Sequence, residues 1–127
     1  LPYSPESKGS PVDLNDVADV ASLVLSERGH IGAIYELCGP DILTYYEQAT
    51  ILSEYIDRSI CVEQMSLDEW KTQAYGVGLS AYSVESLSKM FSYYDSYGFW
   101  GSSHVLSTLL QRIPTSFIEF VKPHFSL

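Results

Sequence analysis

A small α/β (α+β) domain, with two or three short and mostly parallel strands and five or six helices, is what the residue pattern predicts. Two observations carry it. Up to residue 65, short apolar runs alternate with stretches whose apolar residues recur at helical spacing, and beyond it only helical spacing remains. No Asn-Gly or Asp-Gly pair separates two apolar runs, so the strands are joined through helices, which favours parallel pairing.

The first eleven residues hold three Pro, one Gly and three Ser. This composition works against regular pairing and predicts an extended arm over residues 1–11, ahead of a single domain over 12–127. After a short apolar run at 12–14, Asn15 or Asp16 can cap a helix with Val17, Val20, Ala21, Val24 and Leu25 on one face, ending near Arg28 and Gly29. Residues 34–37 read as a strand broken by Gly39 and Pro40. Thr44 and Glu47 stand at capping-box spacing and open a second helix carrying Tyr45, Ala49, Leu52 and Ile56. Residues 60–65 form a second, weakly patterned strand. Ser66 and Glu69 repeat the capping box for a helix with Trp70, Ala74 and Val77, which Gly76 and Gly78 end. A long helix is expected over 81–97 with the stripe Val84, Leu87, Phe91 and Tyr94, then a short one over 103–110. After Pro114, Thr115 or Ser116 caps a last helix that turns Phe117, Phe120 and Val121 inward.

The chain has 127 residues, the size of one domain, and a net charge of −9. That charge repels phosphate backbones and anionic lipid, so neither nucleic acid nor a membrane is an expected partner. The longest apolar runs are a few residues, and the N-terminus has no signal-peptide pattern; a cytoplasmic protein is expected. Cys38 and Cys61 lack CxxC spacing and are read as small buried hydrophobes. Ten Tyr, five Phe and two Trp point to surfaces that are part apolar and part wet, such as a ligand pocket or a subunit contact.

Among motifs, Gly76, Gly78 and Ala81 spell GxGxxA, but a helix precedes the first glycine where a dinucleotide fingerprint needs a strand. They are read as a helix stop and restart. There is no phosphate loop, no HExxH and no GxSxG, and the three histidines His30, His104 and His124 lack ligand spacing, so no metal is expected. His104 follows the cluster Tyr93, Tyr94, Tyr97, Phe99 and Trp100 and opens a helix, whose dipole favours a neutral imidazole. Such an imidazole beside an aromatic pocket can act as a general base, with an ordinary surface histidine as the alternative. Asp13, Asp16 and Asp19 are read as caps and a solvated face.

In their order and spacing several of these pieces resemble the C-terminal half of NmrA-like proteins, atypical members of the short-chain dehydrogenase/reductase superfamily. The pieces are residues 12–18, GAIYELCGP at 32–40, the helix at 43–54, SLDEW at 66–70, and the closing helix with Pro114, Phe117, Glu119, Phe120 and Val121. The resemblance covers residues 11–123. It implies a substrate lobe that holds an organic, largely apolar molecule, without the N-terminal Rossmann half that carries the glycine-rich loop and binds NAD or NADP. No cofactor is therefore expected in this chain unless a separate Rossmann half is present.

Aromatic clustering and amphipathicity single out Tyr75, Tyr82, Phe91, Tyr94 and Trp100 as substrate-binding residues, with His104 and Tyr94 as acid/base candidates. Three functions follow from the implied substrate lobe. One is a homo-oligomer that isomerises, cyclises or dehydrates a hydrophobic metabolite without a cofactor. The second is the substrate-binding part of a split or processed NAD(P)-dependent oxidoreductase with a Rossmann-containing partner chain. The third is a regulatory interaction module.

Overall fold

A computed structural model describes residues 1–125. Residues 126 and 127 of the expected domain, and the side chain of His124, lie outside the described residues. The order is β1 (Lys8–Gly9), α1 (Leu14–Ser26), β2 (Leu43–Thr44), α2 (Tyr45–Ile56), α3 (Leu67–Gly76), α4 (Ala81–Tyr97), α5 (His104–Leu110) and α6 (Phe117–Phe125). The mixed α/β class with six helices and a small two-stranded sheet agrees with the expectation.

The sheet itself is elsewhere and runs the other way. Lys8 pairs with Thr44 and Gly9 with Leu43 in an antiparallel ladder, and Gly9 also makes a parallel bridge with Phe99. The proline-rich arm therefore pairs regularly, because proline removes a donor only at its own position and leaves Ser7 to Ser10 free to bond. Residues 34–37 and 60–65 are extended but belong to no ladder among the described residues. The second run is tied by isolated bonds: the Ile60 N–H donates to Ser53 Oγ at 3.0 Å, the Leu1 amine donates to the Glu63 carbonyl at 2.7 Å and the Met65 N–H donates to the Leu1 carbonyl at 2.7 Å.

Helix starts follow local chemistry closely. Thr44 with Glu47, Ser66 with Glu69 and Ser116 with Glu119 each form a reciprocal capping box. The backbone and hydroxyl donors of Thr44, Ser66 and Ser116 hold those three carboxyls below the usual range. Helix α1 differs from expectation: Asp13 is its cap, accepting from the Asn15 N–H at 2.7 Å. Asp16, one turn in, is 1% exposed and far from a solvated face. Its carboxylate accepts from Arg112 Nη2 at 2.7 Å and from the Thr115 N–H at 2.7 Å, which fastens α1 to the turn between α5 and α6. Arg112 also reaches Asp19 at 2.9 Å. Burial alone would raise the Asp16 pKa, but the Thr115 N–H and the Arg112 guanidinium outweigh it and hold the carboxyl below its ordinary value.

Helix α1 packs on α5, α2 on α6 and α3 on α4. Val20, Ala49, Ala74, Val84, Leu106 and Val121 are the buried helical core. Gly39 is required where the chain passes Pro11, since a Cβ there would lie 1.7 Å from the Pro11 carbonyl oxygen. Cys38 is buried as expected, and burial followed by the nearby Glu36 charge pushes its thiol pKa up. Cys61 is exposed, contrary to expectation, because its run joins no sheet that would cover it.

Candidate functional site

The arm that the sequence leaves without chemistry builds the centre of the aromatic region. Tyr3 is 7% exposed. Its ring stacks on Phe91 at 5.6 Å between centroids and meets Tyr45 and Tyr94 edge-on, both at 5.7 Å. Trp70 closes the far side, edge-on to Phe91 at 4.8 Å. The Tyr3 and Tyr45 hydroxyls are hydrogen-bonded to each other. Burial first, then that bond, raises the Tyr3 phenol well above its ordinary pKa, so it stays protonated.

Gly98 ends α4 with a φ of 71°. A Cβ there would lie 2.6 Å from the Lys8 carbonyl oxygen, so the close approach of the arm also requires glycine. The Phe99 N–H donates to that carbonyl at 2.7 Å and the Ser10 N–H donates to the Phe99 carbonyl at 3.0 Å. These bonds hold the Phe99 ring 4.9 Å from Tyr94. Two clefts adjoin at Ser10, Val12 and Phe99. The inner one, about 270 Å³, is bounded by Tyr3, Tyr45, Gln48 and Tyr94. The outer one, about 400 Å³, is bounded by Glu36, Leu37, Tyr93, Tyr97 and Trp100.

Of the residues singled out from the sequence, Tyr94 lines the inner cleft and Trp100 the outer one. The other four lie away from both. Phe91 is held in the aromatic core between Tyr3 and Trp70. Tyr75 borders an open groove between α3 and α4. Tyr82 is 81% exposed and lines no described cleft, and His104 is exposed at the start of α5. The reason is geometric: residues 75, 82 and 104 occupy three helix ends, and helical spacing does not say which ends meet. Residue spacing does not single out Tyr3, Tyr45 or Ser7 for the site. Tyr45 falls on the apolar face of its helix, and Tyr3 carries one usable signal, a large aromatic between two prolines that stiffen the arm.

A nucleotide pyrophosphate needs free backbone donors at a helix N-terminus or a cluster of cations. Several of the donors and cations among the described residues are already engaged within the chain. The N-termini of α2, α3 and α6 are occupied by their own glutamates, and Lys71, Lys89 and Arg112 are each paired to a carboxylate. No cluster of His, Cys, Asp and Glu among the described residues could hold a metal ion, and no helix among them is long and apolar enough to cross a membrane.

Known proteins of similar sequence and fold include reductases, each matched over part of its length. The chain is 26% identical over 119 residues to an NAD(P)H azoreductase of Xenophilus azovorans, a match that takes in 94% of this chain and 42% of the relative. In structure it is similar to the NADPH-dependent quinone oxidoreductase of Escherichia coli, with a TM-score of 0.77 and 25% identity over 98% of this chain and 46% of that one. It is also similar to the triphenylmethane reductase of Citrobacter, with a TM-score of 0.71 and 25% identity over 93% of this chain and 41% of that one. No family model matches. The chain is thus related to part of NAD(P)H-dependent reductases and spans less than half the length of each of these three.

Proposed function

We propose that this chain is the substrate-side lobe of an NAD(P)H-dependent reductase, its paired clefts holding a flat, apolar, conjugated acceptor while a nucleotide-binding α/β half covers its open face. The open face is the observation that carries the reading. Residues 34–37 are strand-like and bear no ladder hydrogen bonds among the described residues, and Leu25, Ile31 and Ile34 point into solvent. The accessible surface is 8668 Å², where a folded monomer of 14.2 kDa exposes about 6,800 Å². The difference exceeds the roughly 800 Å² that one partner contributes to a standard interface. Free strand edges and exposed Ile and Leu call for an occupant that offers both a sheet edge and an apolar surface, as an α/β nucleotide-binding half does.

The clefts suit the substrate side of this task. Ring faces of Tyr94, Phe99 and Trp100 offer stacking area to a flat molecule, and the two clefts together are within the size range of small-molecule sites. A cofactor-free isomerase, cyclase or dehydratase using Tyr94 and His104 has less support, because only Tyr94 borders a cleft and the three relatives named above are reductases.

The test is a chimera in which this chain replaces the region it matches in the Escherichia coli quinone oxidoreductase. The isolated chain is expected not to oxidise NADPH, and the chimera to oxidise it only when a conjugated acceptor is added. A folded chimera that binds NADPH and reduces no acceptor would overturn the reading, as would turnover of an apolar substrate by the chain alone without NAD(P)H. A stable dimer that buries residues 31–37 would replace the nucleotide-binding half with a second copy. A tight protein complex indifferent to loss of the cleft tyrosines would point to a regulatory module.

A further inference from the structure

Among the described residues, Ser7 Oγ is the one buried side-chain polar atom without a hydrogen-bond partner. Native structures rarely leave such a group unpaired. Ser7 lines the inner cleft, and so do Tyr3 and Tyr45. The three hydroxyls carry three protons. The bond between Tyr3 and Tyr45 uses one of them, and no acceptor within the described residues takes the other two. Tyr3, buried and hydrogen-bonded, keeps its proton at ordinary pH.

Pro11, Val12, Tyr94 and Phe99 supply apolar and ring surface to the rest of the lining, beside the polar Lys8, Ser10 and Gln48. A cleft that combines two spare O–H donors with the rings of Tyr94 and Phe99 is complementary to a neutral acceptor oxygen on a flat, largely hydrocarbon frame. Glycine and proline at the arm's other positions hold Ser7 in place: Gly9 sits in the ladder with Leu43, and Pro5, whose carbonyl accepts from the Tyr45 N–H at 3.0 Å, is buried.

We infer that the inner cleft recognises the carbonyl oxygen of an aromatic ketone, with the Ser7 hydroxyl and the Tyr3–Tyr45 pair as its donors. The inference rests on the reading of this cleft as a ligand site and adds the residues that select among ligands. Hydrogen-bonding sites discriminate sharply against a ligand that lacks the matching atom, because the buried donors are then left unpaired.

The experiment titrates the whole chain with 1-tetralone and with tetralin, the same bicycle carrying CH₂ in place of C=O, and follows binding by calorimetry and by Tyr and Trp fluorescence. Tetralone is expected to bind at least about tenfold more tightly. Ser7→Ala and Tyr45→Phe are each expected to weaken tetralone binding about three- to tenfold and to leave tetralin binding unchanged. An unaltered melting temperature in Ser7→Ala checks that the loss is not one of folding. Equal affinity for the two compounds, or tetralone affinity indifferent to both substitutions, overturns the inference while leaving an apolar ligand cleft intact. Absence of binding by either compound overturns the inference and the ligand-site reading together.

Discussion

The turn between α5 and α6 and the stretch over residues 31–37 are both irregular segments next to α1, and they end in opposite states. At the first, Arg112 and Thr115 meet Asp16, a buried carboxylate that accepts three hydrogen bonds from them. At the second, Ile34 is 97% exposed and the backbone groups of 34–37 lie outside any ladder. The difference separates what the chain stabilises by itself from what it leaves to a partner. Burying a charge is tolerated only where its partners are supplied in full, so the Asp16 side is finished. An apolar edge left in water weakens nothing inside the fold, so the Ile34 side can wait.

The finished side should yield first. Leu106 is fully buried on α5, the helix that packs on α1. Leu106→Ala is expected to cost about 3 kcal/mol, read as a lower midpoint in urea, because the cavity adds to the lost transfer energy. In a chain with so few fully buried side chains that loss is a large share of total stability. An effect below about 1 kcal/mol would mean that α5 is not part of the core.

Asp16→Asn comes next, at about 2 kcal/mol, since the charge-assisted bonds to Arg112 and the Thr115 N–H are weakened together. The sign of its pH dependence is fixed by the lowered Asp16 pKa. A carboxyl with a folded-state pKa below its unfolded value contributes fully above the unfolded value, near 4, and loses that contribution as pH falls through the folded value. The gap between wild type and Asp16→Asn should therefore be constant from pH 7 to about 5 and shrink below pH 4. A gap that widened in acid would contradict the geometry.

Much of this finished side is legible in the sequence, and the reasons are local. The bounds of α4 at residues 81 and 97 follow from Ser80 before the helix and Gly98 after it, and the Thr44 and Ser66 boxes from residues three apart. What cannot be read that way depends on chain segments far apart. Asp16 and Thr115 are 99 residues distant, and an Asp in a first helical turn looks the same whether it is solvated or buried. The antiparallel ladder joins residues 8–9 to 43–44, so no local run of β-formers announces it, whereas residues 34–37 have the right composition and no paired strand among the described residues. Of the candidate site, the aromatic run at Tyr94 and Trp100 is visible in the sequence and borders the clefts, whereas the other lining residues are not announced by spacing. Tyr3 and Ser7 enter it only because the arm folds back over α4, which residue spacing cannot express.

A smaller effect tests the boundary between the two sides. Ser66→Ala removes one member of a reciprocal capping box and is expected to cost about 1 kcal/mol. Ser66 follows directly on the extended 60–65 run, so hydrogen exchange there should separate helix from strand. The amides at the start of α3 should lose protection while those of 60–62, which bond only through Ile60 to Ser53, should already exchange quickly in the wild type.

The smallest expected effect is the one that the comparison most needs. Ile34→Ser replaces a β-branched apolar residue in a strand-like run, a change that costs a few kcal/mol wherever the side chain is buried. In this chain it should alter the urea midpoint by less than about 0.5 kcal/mol, because the side chain is already in water. The same substitution in the chimera with a nucleotide-binding half should be costly, since the run would then be covered. A penalty present in the chimera and absent in the isolated chain would assign residue 34 to an interface. An equal penalty in both would place it in this domain's own core, and the open face would then have to lie elsewhere.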